Sequence, residues 1–140
     1  MRRTRLIASL VLLTACGVGS GTLRIADAEA ALVEAASVVV AAIHPAGASA
    51  TAPPAPGDRE PCALPTGEAG LRSRVDVRLP GRAAPAVLEA AAAALVSQGF
   101  LVVDPGVPDT VLGQRDGLSV SLAEDAGVLE LDALTGCRPR

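Results

Sequence analysis

The chain has no tryptophan, no tyrosine, no lysine and a single phenylalanine, Phe100. Single-strand nucleic-acid sites stack bases on aromatic rings, and protein hot spots favour large aromatic side chains. Neither mode has much to build with here. One histidine, His44, and three cysteines make a thin catalytic inventory. The 12 basic residues, all arginine, stand against 15 acids, for a formal charge of −3. General nucleic-acid binding needs clustered positive charge, so no nucleic acid is expected as a partner. A bilayer-spanning helix needs about 20 apolar residues in a row. The apolar run Leu6 to Leu13 is far shorter. No G-x-S-x-G elbow occurs, so a hydrolase triad has no nucleophile turn.

Half of the residues are hydrophobic, but alanine makes up about one-fifth of the chain, well above ordinary usage. Alanine buries little area, so the core is expected to be thin for its residue count. The alanine, glycine and proline, with arginine as the sole cation, read as genomic base composition and point to a GC-rich bacterium.

The first residues are arranged as an address. Arg2, Arg3 and Arg5 precede the Leu6–Leu13 run, and small residues lead to Cys16. That is the layout of a secretory signal. Leu13-Thr14-Ala15-Cys16, followed by the small Gly17, resembles the lipobox of bacterial lipoproteins. In that family the cysteine thiol receives a diacylglyceryl group and the chain is cut just before it. The resemblance implies a signal peptide over 1–15 and a lipid anchor on Cys16. It also implies a place on the extracytoplasmic face of the cell membrane. Arg5 stands where twin-arginine signals carry an apolar residue, which favours the general secretory route. Cleavage removes three arginines, leaving 12 − 3 = 9 against 15 acids, or −6.

Once Cys16 is set aside, Cys62 and Cys137 form an even pair in an oxidising compartment and are expected to be bonded. Two cysteines and one distant histidine do not make a zinc site. No metal and no cofactor is expected.

Residues 16–21 read as a lipidated Gly/Ser tether. Residues 22–44 read as an amphipathic helix with Thr22 as its cap. Its apolar positions Ile25, Leu32, Ala36, Val39 and Ile43 recur at helical spacing. His44-Pro45 ends it. A histidine suits a helix C-terminus, and its neighbours in sequence do not mark it as a general base. Residues 45–61 are a Pro/Ala-rich linker, and 62–140 a disulfide-closed domain.

Within that domain, Leu71 to Leu79 alternates with period two and predicts one half-buried strand. Pro80-Gly81 ends it. A helix follows from Pro85 to Gln98, with Val87, Leu88, Ala91, Leu95 and Val96 as its apolar face and Gly99 as its stop. Phe100–Val103 predicts a short strand. Asp116-Gly117, between Val111–Arg115 and Leu118–Leu122, is a two-residue hairpin signal. Glu124–Gly127 turns the chain again into Val128–Asp132. The sum is an α+β fold: N-terminal helix and linker, then a small β-α-β-β-β antiparallel sheet with a helix packed on one face.

Catalytic constellations are poor. Glu124-Asp125 sits in a predicted turn, where solvated acids are ordinary. Glu130 and Asp132 share the outward face of a strand, where partnering arginines across the sheet is the natural role. Arg72, Arg74 and Arg78 alternate outward on the predicted strand and are the candidate anion- or partner-binding group. The architecture resembles small actinobacterial lipoproteins of unknown function. The expected role is a non-catalytic accessory or interaction module of the cell envelope that contacts an envelope protein. The alternative is a small-ligand carrier or sensor, which requires an enclosed apolar cavity.

Overall fold

The computed structural model describes residues 23–48, 50 and 52–140. The signal segment, Cys16, the tether and Thr22 lie outside the described residues.

Among the described residues, two α-helices and seven strands follow one another in the order α1 (Ile25–Ile43), β1 (Glu60–Ala63), β2 (Ala69–Arg72), β3 (Arg74–Pro80), α2 (Pro85–Ser97), β4 (Leu101–Val103), β5 (Val111–Arg115), β6 (Leu118–Asp125) and β7 (Val128–Leu134). Strands β3 to β7 form an antiparallel sheet in the spatial order β3-β7-β6-β5-β4. β1 and β2 form a separate hairpin. The fold is α+β, as the patterning predicts. The strand-by-strand pattern after the hairpin is β-α-β-β-β-β: each of the five segments predicted as strands is present, Phe100–Val103 among them as β4, so the compressed pattern β-α-β-β-β counts one strand too few.

Both helices cover one face of the sheet. α1 lies against β3, β6 and β7, α2 against β4 and β5, and the two helices touch each other. Register explains why that face is apolar. Val75, Val77 and Leu79 of β3 stand opposite Ala133, Leu131 and Leu129 of β7. Those residues are all buried, with Leu118, Val120 and Leu122 of β6 beside them. From α1, six residues enter the same core, Ala28, Leu32, Ala35, Ala36, Val39 and Ile43, and Ile25 is buried at the start of the helix. Fully burying a leucine, valine or isoleucine is worth about 1.5–3 kcal/mol, so α1 is a structural layer of this domain.

Local chemistry sets the ends of the elements. α1 starts at Ile25, not at Thr22, and has no side-chain cap. Its first N–H donates instead to the Pro139 carbonyl at 2.9 Å, so a distant backbone group does the work of a cap. α2 carries Pro85 in its first turn and stops at Gly99, whose φ is +79°. Val96 was expected inside but is 59% exposed. α2 buries Val87, Ala91, Ala94 and Leu95, and Val96 lies about 100° further round the helix. Asp116 and Gly117 both have positive φ, the two-residue geometry that matches strand twist. Ala126-Gly127 repeats it, which carries β6 on to Asp125 and makes both flanking strands longer than predicted.

The predicted strand Leu71–Leu79 is two strands. The break is Ser73, which is buried. Its N–H donates to Thr135 Oγ1 at 2.9 Å, and its carbonyl accepts from the Thr135 N–H at 3.1 Å. Beyond that exchange β2 leaves the sheet and pairs with β1. The hairpin β1–β2 is not among the predicted elements: Glu60 and Pro61 fall in the predicted linker, and the first predicted strand begins only at Leu71.

The Pro/Ala-rich segment is docked. Ala48 is fully buried, Pro56 bridges to Val75, and the Gly57 N–H donates to the Arg74 carbonyl. Cys62 on β1 is bonded to Cys137, 75 residues away.

Candidate functional site

The helix-free face of the sheet carries side chains that no other described element covers. On β3 these are Arg74, Asp76 and Arg78; on β7 they are Glu130, Asp132 and Leu134. Antiparallel register puts Arg78 opposite Glu130, and the two pair at 2.8 Å. It also puts Asp76 opposite Asp132, a like-charge pair that would repel. Arg74, one position along, resolves the conflict. It grips Asp132 with two parallel hydrogen bonds of 2.7 and 2.9 Å and reaches Asp76 at 3.0 Å. The hydrogen bonds to Asp132, and after them the charges of Asp132 and Asp76, raise the guanidinium's pKa above its ordinary value.

Arg72 belongs to the other hairpin. It stands opposite Glu60 and pairs with it at 2.9 Å. Arg72 and Arg74 meet again at a cleft of about 310 Å³, lined also by Asp58, Glu60, Ser73 and Leu134. Arg78 is not part of that cleft. The three candidate arginines therefore split between two sheets, and each has a carboxylate partner within 3.0 Å. The face is a ladder of paired charges. Its cross-strand logic was legible in the pattern, but the individual partners depend on register.

Sequence reading missed two other polar clusters. Glu29 of α1 accepts two hydrogen bonds from Arg59, at 3.0 and 3.2 Å, tying the docked segment to the helix. Those bonds hold the Glu29 carboxyl below the ordinary glutamate range, against the opposing effect of burial. The Ser73 hydroxyl lies beside it, too loosely placed to close a defined hydrogen bond. The second cluster is Arg138, which is 2% exposed. Its Nε donates to the Thr135 carbonyl at 2.9 Å, and Nη2 donates to the Asp116 carbonyl. Nη1 is buried with no hydrogen-bond partner among the described residues. An isolated arginine in a Gly/Pro-rich tail gives no sequence signal for burial.

The remaining candidates are ordinary. Glu124 accepts from the Ala83 N–H at 2.8 Å and pairs with Arg82 at 3.2 Å, while its neighbour Asp125 is exposed. His44 is exposed on a 3-10 turn after α1, where its carbonyl accepts the Gly47 N–H. Among the described residues, no group of three or more His, Cys, Asp or Glu is placed to hold a metal ion. No described helix is long and apolar enough to cross a membrane.

The molecule is thus a two-layer α+β domain with helices on one face of an antiparallel sheet and a charge ladder on the other. No protein-family model matches the chain, and no curated protein matches it. A solved structure shares the fold: the crystal structure of a DUF4853 family protein from Actinomyces odontolyticus ATCC 17982. The likeness has a TM-score of 0.51 and 16% sequence identity, and covers 81% of this chain and 67% of that one. At that identity it shows the fold alone.

Proposed function

We propose that this protein is a non-catalytic interaction module of the bacterial cell envelope, anchored through lipid on Cys16 to the extracytoplasmic face of the membrane. The carrying observation is the contrast between a filled interior and an ordered, uncovered outer face. Leu95 and Phe100 close over Gly113 so tightly that a Cβ there would stand 3.0 and 3.2 Å from them. A carrier needs an enclosed apolar space between sheet and helices. The cleft at the charge ladder opens to solvent and is ringed by charged groups. The ladder's exposed pairs stabilise a fold little, while they present a fixed charge pattern that a partner can match.

Lipid attachment rests on the Leu13-Thr14-Ala15-Cys16 motif. Two acyl chains would hold the protein stably where one would not. Intact mass of the membrane fraction tests it. The expected result is a diacylglyceryl adduct on Cys16 and release of Cys16→Ser. An unmodified Cys16 overturns the anchor. A photo-crosslinker placed at Ser121, on the ladder face, is expected to capture an envelope protein that the same probe at Ala93, on the exposed side of α2, does not. Equal capture from both positions, or none from Ser121, overturns the interaction role.

A further inference from the structure

The sheet ends on one side at β4, and no described strand pairs with its outer edge. Open edges invite pairing and are usually blunted by charge, proline or a bulge. β4 is short, three residues, but Leu101-Val102-Val103 carries none of these itself; Asp104 and Pro105 stand just beyond its end. Its surroundings are apolar as well. Leu101 is 69% exposed, and Val96, on the last turn of α2, is 59% exposed. We propose that β4 is a self-pairing edge, at which two copies of this chain join antiparallel about Val102 and fuse their five-stranded sheets into one.

The register argues for a second copy over any other strand. A two-fold axis at Val102 sets Val102 against its own image and Leu101 against the other copy's Val103. Within β4 every opposed pair is apolar, and such β-branched and aliphatic cross-strand pairs stabilise sheets. The same register sets Asp104 of each copy opposite Phe100 of the other. Over that Phe100 ring, 4.6 Å from its centroid, lies the guanidinium of Arg115. Arg115 has no carboxylate partner among the described residues; one of its nitrogens donates to the Gln98 carbonyl. Asp104 is exposed and spends one oxygen on the Gly106 N–H at 2.8 Å. Opposed residues of an antiparallel pair project to the same face of a sheet, so each Asp104 arrives on the side of Arg115, which has no carboxylate partner among the described residues. Two symmetric ion pairs thus close the ends of an uncharged strip. For an acidic chain that strip is also where like-charged copies approach with least repulsion. On the open face, Leu101 and Val103 of each copy continue into Leu112, and the apolar stripe runs unbroken across the axis.

The test uses the full chain in mild detergent and in isolated native membranes, and it depends on neither Cys16 nor any envelope partner. Val102→Cys is expected to give a covalent dimer on mild oxidation, with Cys62–Cys137 intact, while Ser121→Cys stays monomeric. By sedimentation, Asp104→Arg should weaken self-association about tenfold or more, and Arg115→Asp added to it should restore association. A folded Val102→Cys protein that remains monomeric overturns the proposal. So does a dimer indifferent to Asp104→Arg, or crosslinking from Ser121→Cys in place of Val102→Cys. Failure of the charge swap, should Arg115→Asp leave the fold intact by its thermal midpoint, overturns the register. An extended peptide captured at β4 by a protein that is monomeric at every concentration assigns the edge to another partner and overturns self-pairing.

Discussion

Gly70 sits where a side chain has no room. A Cβ there would stand 2.7 Å from the Arg138 carbonyl and 2.8 Å from Cys137 Sγ. The first is backbone and the second belongs to a disulfide, so neither yields cheaply. Gly70→Ala is expected to lower stability by about 1–3 kcal/mol, read as a lower denaturant midpoint with an unchanged slope. Glu29 makes a second residue-level prediction. Its carboxyl is held below the ordinary value of 4.5. The unfolded chain therefore takes up the proton first as pH falls. The stabilisation from the Arg59 contact is complete above that ordinary value and is lost as pH drops through the lower, folded one. Urea midpoints of the parent and Glu29→Gln should differ at pH 7, and the difference should shrink as pH falls below the ordinary glutamate range. A gap that persists unchanged at low pH would assign the variant's effect to packing. Neither position was visible in the sequence. A glycine beside a breaker-rich stretch reads as loop, and an acid on a helix reads as solvated face.

At the scale of elements, the period-two and period-3.6 patterns were legible wherever one face is buried and the other wet. β3, β6, β7 and α1 follow from them. The hairpin β1–β2 did not, because it is mostly exposed and is held by main-chain pairing and one disulfide, neither of which leaves an alternating pattern. Its dependence on that bond is testable. A link across 75 residues removes roughly 4 kcal/mol of chain entropy from the unfolded state. Changing Cys62 and Cys137 together to serine should lower stability by about 2–5 kcal/mol. Hydrogen exchange should show the earliest loss of protection at Cys62–Ala63 and Ala69–Arg72. A uniform loss across the sheet would mean that the bond supports the whole fold equally.

For the whole molecule, the sequence suggested a domain that begins near Cys62 with a helix and linker ahead of it. The core is shared more widely, since the stripe of α1 packs on the sheet. Periodicity identified which α1 residues are apolar, yet it could not say what they meet. A chain lacking residues 1–47 is expected to retain far-UV strand signal but lose cooperative unfolding, and to bind an apolar dye. A sharp, dye-free transition in that truncation would show that the sheet and α2 suffice. The candidate site followed the same rule. Its residue types were readable, while the pairing of Arg74 with both Asp132 and Asp76 depends on a register that alternation alone leaves open.

The segment Cys137–Arg140 holds the two ends of the described chain together. Pro139 takes the first N–H of α1, Arg138 exchanges two hydrogen bonds with Leu71, and Arg24 reaches the Arg140 carbonyl across 116 residues. Contacts this distant form late, since loop closure must come before they are rewarded. A chain emerging amino end first from a narrow pore would present α1 well before its sheet, and the sheet before the segment that locks both. The contacts that fasten α1 and β2 are therefore expected to form only after Arg138 and Pro139 have emerged, later than the hairpins of the sheet.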